Sequence, residues 1–141
     1  MTAELIDGLC NWAEGYTAPA AAVNLLIDHD VWLRRPDFRS RCVVQIPDSD
    51  LYEPDRPIAY IDWEQVCRAL AERSLPASGS EVAVLRVAAS LADGRPVSLR
   101  ESLTGMDATT TAAVAAALVA AAGHRDRITV ALAPRNRPDW L

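Results

Sequence analysis

The residues best suited to chemistry in this chain are four arginines gathered in WLRRPDFRSR, Trp32 to Arg41. Arg34, Arg35, Arg39 and Arg41 against the single Asp37 give this stretch a charge of +3. Guanidinium forks bind carboxylate and phosphate bidentately, and Trp32 beside them is placed to stack one of them. Trp32, Arg34, Arg35, Arg39 and Arg41 are therefore the candidate contact surface for a protein or an anion. The competing expectation is internal pairing. The following loop holds Asp48, Asp50, Glu53 and Asp55, and clustered surface charges usually form solvated, locally paired faces.

Asp28-His29-Asp30 is the one place where a histidine sits among carboxylates. Consecutive side chains on a helix point to different faces, so these three do not converge on a metal by themselves. They read as a polar helix end, with cationic His29 favoured by the C-terminal dipole; His124, after a later helix, reads the same way. Cys10, Cys42 and Cys67 form no C-x-x-C pair, so no zinc or redox motif is present, and Cys67 is expected in the core. There is no G-x-x-x-x-G-K-[ST] or G-x-G-x-x-G phosphate loop. No nucleophile stands in a recognisable pair with a base. The sequence thus points to no catalytic residue, no metal and no cofactor, and away from an enzyme.

Length and composition narrow the field further. The 141 residues make one domain. Half of them are hydrophobic and 23% are charged, which is ordinary globular composition. The net charge is −5, all 14 cations are arginine, and alanine occurs 25 times. A collagen-like, disulfide-framework or polybasic protein is excluded. The N-terminal MTAELIDGLCNW carries acids where a secretion signal needs Arg or Lys. The longest apolar run, Ala112 to Gly123, falls short of the roughly 20 residues that span a bilayer. A cytoplasmic location with reduced thiols is the expectation.

The elements that must position the arginines follow from periodicity. Leu5, Leu9, Trp12, Ala13 and Tyr16 form an amphipathic stripe. Gly15 is a stop, and Thr17 is expected to cap a second helix stabilised by Val23, Leu26 and Ile27. A short helix starts at Pro36 around Phe38. CVVQI and IAYI predict two paired strands within residues 42–61. Asp62 is expected to cap a helix whose buried face is Trp63, Val66, Cys67, Leu70 and Ala71, with Glu64 and Arg68 paired outside. SLPASGS reads as a linker. Ser78 with Glu81, and Ser98 with Glu101, predict capping boxes, and Asp107 caps an Ala-rich helix over Ala108 to Ala122. That helix is nearly apolar all round, so it is expected in the domain centre or at a dimer contact. ITVALA alternates like a strand without an obvious partner, and residues 134–141 form a flexible tail ending in Trp140-Leu141. The expected fold is α+β, mainly α: about six helices in a compact bundle with a small two-stranded β element. It spans a single domain over 1–133, and any sub-domain boundary falls at 75–80.

SLRESLTGMDATTTAAVAAALVAAAG resembles the helix-turn-helix of winged DNA-binding domains, with ITVALA where a wing strand lies. The resemblance implies DNA binding. Yet the helix in the recognition position offers only Thr109, Thr110 and Thr111 and no Arg, Lys, Asn or Gln to read bases. At −5 the chain also lacks the electrostatic attraction that drives non-specific DNA affinity. WLRRPDFRSRC, AYIDWEQ and VLRVAASLADGRPVSLRESLTGMD together are similar to small proteins of high-GC actinobacteria, a resemblance that covers most of the chain and implies a bacterial protein without implying an activity. The functional reading is a non-catalytic protein-interaction or regulatory module that binds a protein partner or itself, with neither nucleic acid nor membrane as partner. Its alternatives are a degenerate winged helix-turn-helix regulator and a small enzyme with an unrecognised site.

Overall fold

The computed structural model describes residues 3–46 and 56–134. The acids Asp48, Asp50, Glu53 and Asp55 and the terminal Trp140-Leu141 lie outside the described residues. The order of elements is α1 (Ala3–Ala13), α2 (Thr17–His29), a 3-10 turn (Trp32–Arg34), α3 (Pro36–Cys42), β1 (Val43–Ile46), β2 (Ile58–Ile61), α4 (Trp63–Ala71), α5 (Gly79–Asp93), α6 (Leu99–Leu103) and α7 (Ala108–Ala121). The fold is α+β and mainly α, with seven helices among the described residues where the sequence suggested about six.

Local chemistry sets most boundaries. Asp62 caps α4 by accepting from the Gln65 amide at 3.2 Å. Ser78 and Glu81 form the reciprocal capping box of α5, and Asp107 accepts from the Thr110 amide at 2.7 Å to start α7. Each satisfies amides that a helix start leaves without partners. Glu64 and Arg68 pair at 2.8 Å. One cap differs from expectation: Thr17 is the first helical residue of α2, and Tyr16 holds the cap position with no side-chain bond. Cys42 ends α3 rather than opening the strand. The two strands are antiparallel, with Val43 opposite Ile61 and Ile46 opposite Ile58.

Helix α2 is the axis of the bundle, packed by α1, α5 and α7. Its buried set, Ala21, Ala22, Val23, Leu25 and Leu26, covers several faces, which is the pattern of a central helix. Leu25 and Leu26 are each about 1.5–3 kcal/mol more favourable buried than exposed. Helix α1 lies against β2, and Gly8 permits that approach, because a Cβ there would meet the Ala59 amide nitrogen at 2.9 Å. One cluster of buried side chains runs from Leu5 to Ala117 and crosses the SLPASGS stretch through Leu75.

Three expectations about burial change. Trp12 and Tyr16 lie on the α1 stripe but are 51% and 66% exposed, with Trp12 stacked on Tyr60 at 4.8 Å. On the face of α4 expected to be buried, Cys67 is half-buried and Ala71 exposed. Helix α7 is not the centre of the domain: only Val114 and Ala117 are buried, and Leu118 is 42% exposed. Eight alanines leave α7 too little volume to fill a core from several sides, whereas α2 carries four large aliphatic side chains within Val23 to Ile27.

Candidate functional site

The arginine segment is positioned by Trp32 and Phe38, both fully buried, whose rings stand 5.5 Å apart. The indole Nε1–H of Trp32 donates to the Glu81 carbonyl at 2.9 Å, tying the 3-10 turn to the first turn of α5. The Arg35 guanidinium lies 4.8 Å over the Trp32 ring. Its Nε and Nη2 grip both oxygens of Asp37 at 2.9 and 2.6 Å, while Nη1 donates to the Pro76 carbonyl at 2.6 Å. The hydrogen bond from Arg35 holds the Asp37 carboxyl below its ordinary value, and the same bond raises Arg35.

The other cations are held as well. Arg39 donates to the Leu33 carbonyl at 3.0 Å. Arg41 reaches Ser74 Oγ at 2.6 Å and Glu72 at 2.9 Å, joining α3 to the end of α4. Arg34 pairs with Asp30 at 2.6 Å, and its side chain is 66% exposed. Their described partners are Asp30, Asp37, Gln65, Glu72, Ser74 and backbone carbonyls. The segment acts as a clasp that fastens the stretch between α4 and α5 to the turn after α2. Sequence could have shown the Asp30 and Asp37 partners, which are four and two residues away. It could not show Ser74 and Pro76, whose proximity depends on the fold.

His29 ends α2 where Glu81 and Asp107 face it from the starts of α5 and α7. Burial lowers its pKa, outweighing the upward pull of Glu81, Asp107 and Asp30. This shift runs against the cation expected at this helix end, because desolvation disfavours the charged ring more than the carboxylates favour it. Among the described residues, His29 Nδ1 and Asp30 Oδ1 are buried without a hydrogen-bond partner. Among the described residues no group of three His, Cys, Asp or Glu is arranged to hold a metal ion, and no helix is long and apolar enough to cross a membrane.

The face with the fewest internal partners is at the C-terminal end. Helix α7 lays one stripe, centred on Val114 and Ala117, against α2; from Ala112 to Ala121 Leu118 alone is exposed, and the other residues outside the stripe are half-buried. No charged residue occurs from Ala108 to Gly123. After Gly123 (φ 85°) the chain makes a turn in which the Ile128 amide donates to the His124 carbonyl at 3.0 Å. Residues 128–134 then run on without helix, turn or bend and enter no ladder. Among the described residues, no backbone hydrogen bond involves 129–134. Ile128 and Leu132 are 49% and 55% exposed. Between this segment, α7 and α2 lies a cavity of about 230 Å³, lined by Asn24, Asp28, Ala116, Arg125, Ile128 and Val130 among others. Sequence reasoning did not single out Leu118, Ile128 or Leu132; the usable signal was the missing charge around an alternating apolar run.

The helix-turn-helix spacing corresponds to α5, α6 and α7. Helix α6 packs on α5, whereas α7 packs chiefly on α2. No family model, curated protein or solved structure matches this chain.

Proposed function

We propose that this chain is a cytoplasmic, non-catalytic interaction module whose working surface is the outer side of α7 together with residues 128–134. The observation that carries the reading is the concentration of uncommitted groups there: an uncharged helix beside an apolar segment in which residues 129–134 make no backbone hydrogen bond among the described residues. A solvent-facing helix normally carries charge on its outer side, and contiguous exposed apolar surface marks sites of association. The arginine segment supports the same reading by a different route. Its guanidinium groups already hold partners within the chain, so they stiffen the scaffold that presents the C-terminal face. Three free thiols accord with a reducing compartment.

A photoreactive benzophenone amino acid placed at Leu118 tests the reading in cells. A covalent adduct with a polypeptide is expected at Leu118 and none at Arg68, on the exposed side of α4. Equal adducts at both sites, or none at either, would overturn it. A low-salt gel shift with genomic DNA, lost as salt rises, would replace it with the nucleic-acid alternative.

A further inference from the structure

Residues 128–133 carry an inference that the helix face alone does not. An apolar helix side accepts many occupants, whereas an unpaired strand edge accepts only another extended backbone. We infer that the occupant is a second copy of this chain, joined by antiparallel pairing within residues 129–133 across a two-fold axis, with α7 of each copy covering the pair. The inference rests on the interaction-module reading and names the partner it leaves open.

Four observations converge on this arrangement. First, ITVALA has the alternation of a strand, with Ile128, Val130 and Leu132 on one side and Thr129, Ala131 and Ala133 on the other. From Thr129 to Ala133 its backbone makes no hydrogen bond among the described residues, the Ile128 amide being held by the His124 carbonyl. Natural proteins blunt such an edge with lysine, proline or inward charge, and none of these occurs before Pro134. Second, a two-fold axis places the same segment opposite itself in antiparallel sense, so each copy supplies the edge that the other lacks. No second binding element has to be postulated. Third, charge favours this face for self-contact. Each copy carries −5, yet Ala108 to Gly123 and Ile128 to Pro134 carry none, so a dimer formed here keeps the acidic surfaces apart. Fourth, the area is adequate. Helix α7 is about 21 Å long, and the outer half of such a cylinder plus a six-residue strand offers on the order of 700 Å² per copy. Stable interfaces bury about 800 Å² per partner. The helix without the strand would offer little more than half of that.

Light scattering on the full chain from about 1 to 100 μM tests the inference. A mass approaching twice 15.3 kDa is expected as concentration rises. Ala131→Pro removes a ladder donor while leaving a backbone that is not helical, and is expected to raise the dimer dissociation constant at least about 100-fold with unchanged circular dichroism. Leu132→Arg, which leaves the backbone intact, is expected to weaken the dimer as well. A wild-type chain that remains monomeric at 100 μM would overturn the inference. So would a dimer indifferent to Ala131→Pro, which would place the contact elsewhere. If the wild type is monomeric while Leu118 still forms adducts with another polypeptide, the second-copy partner falls and the interaction reading stands.

Discussion

Residues 32–42 and residues 108–134 solve opposite problems. The first segment is crowded with charge and ends with its guanidinium groups bonded to other groups of the same chain, from Arg35 on Asp37 and Pro76 to Arg41 on Glu72 and Ser74, with Arg34 in an exposed pair with Asp30. The second contains an uncharged helix and an uncharged run and ends with apolar side chains and backbone groups facing outward. Charge density in a sequence therefore measures how many partners a segment needs, not how many it leaves for others. A lone arginine cluster invites a docking hypothesis, but the protein's own carbonyls and carboxylates are the nearest and most concentrated acceptors.

The largest test of the closed segment is Trp32→Ala. It removes a fully buried indole, its bond to the Glu81 carbonyl and the platform under Arg35. A loss of about 3–5 kcal/mol in urea unfolding is expected. Cys42 reports the same opening, since burial pushes its thiol up to about 11 and shields it from disulfide reagents. Labelling at pH 8 should be slow in the wild type and fast in Trp32→Ala. Rapid labelling of Cys42 in the folded wild type, read separately from the exposed Cys10 and half-buried Cys67, would show that the segment is not closed.

Arg35→Ala is expected to cost about 1–2 kcal/mol through lost ring stacking and the bond to Pro76. A change too small to measure in thermal melting would mean that the clasp is decorative. A smaller effect is expected at His29. Its pKa is lowered by burial, so the folded state binds a proton less readily than the unfolded chain. The stability it protects is complete above the ordinary histidine value and is lost as pH falls through the depressed folded value. His29→Gln should flatten that part of the stability profile. A wild-type stability that rises over the same acid range would contradict the assignment.

The smallest effect sharpens the contrast most. Leu118→Asp on the outward side of α7 should leave the melting curve of the monomer within about 0.5 kcal/mol of wild type. A large loss would show that α7 is covered by its own chain.

Much of the scaffold was legible because its signals are local. Caps at Asp62, Ser78 and Asp107 depend on residues three positions apart, and the strand pair follows from two short β-branched runs. The place of α7 was not legible. A helix of alanine and threonine presents no stripe to say which side faces in, so its sequence suits a core and an interface equally. Trp12 and Tyr16 fail for the opposite reason: their stripe is clear, but α1 ends at Ala13, which leaves Tyr16 beyond the helix, and Trp12 rests on the Tyr60 ring with its other side open. For the candidate site, the sequence revealed the arginines but not the carbonyls that occupy them, because Pro76 lies 41 residues from Arg35. It also revealed an unpartnered ITVALA, but not that it stands next to the exposed side of α7.

Hydrogen exchange of the full chain, followed on dilution from about 100 to 1 μM, tests the central contrast directly. Amides of residues 129–133 should be protected when concentrated and should exchange freely when dilute, while those in α3 stay protected throughout. Protection at 129–133 that ignores concentration, or protection in α3 that follows it, would contradict the account.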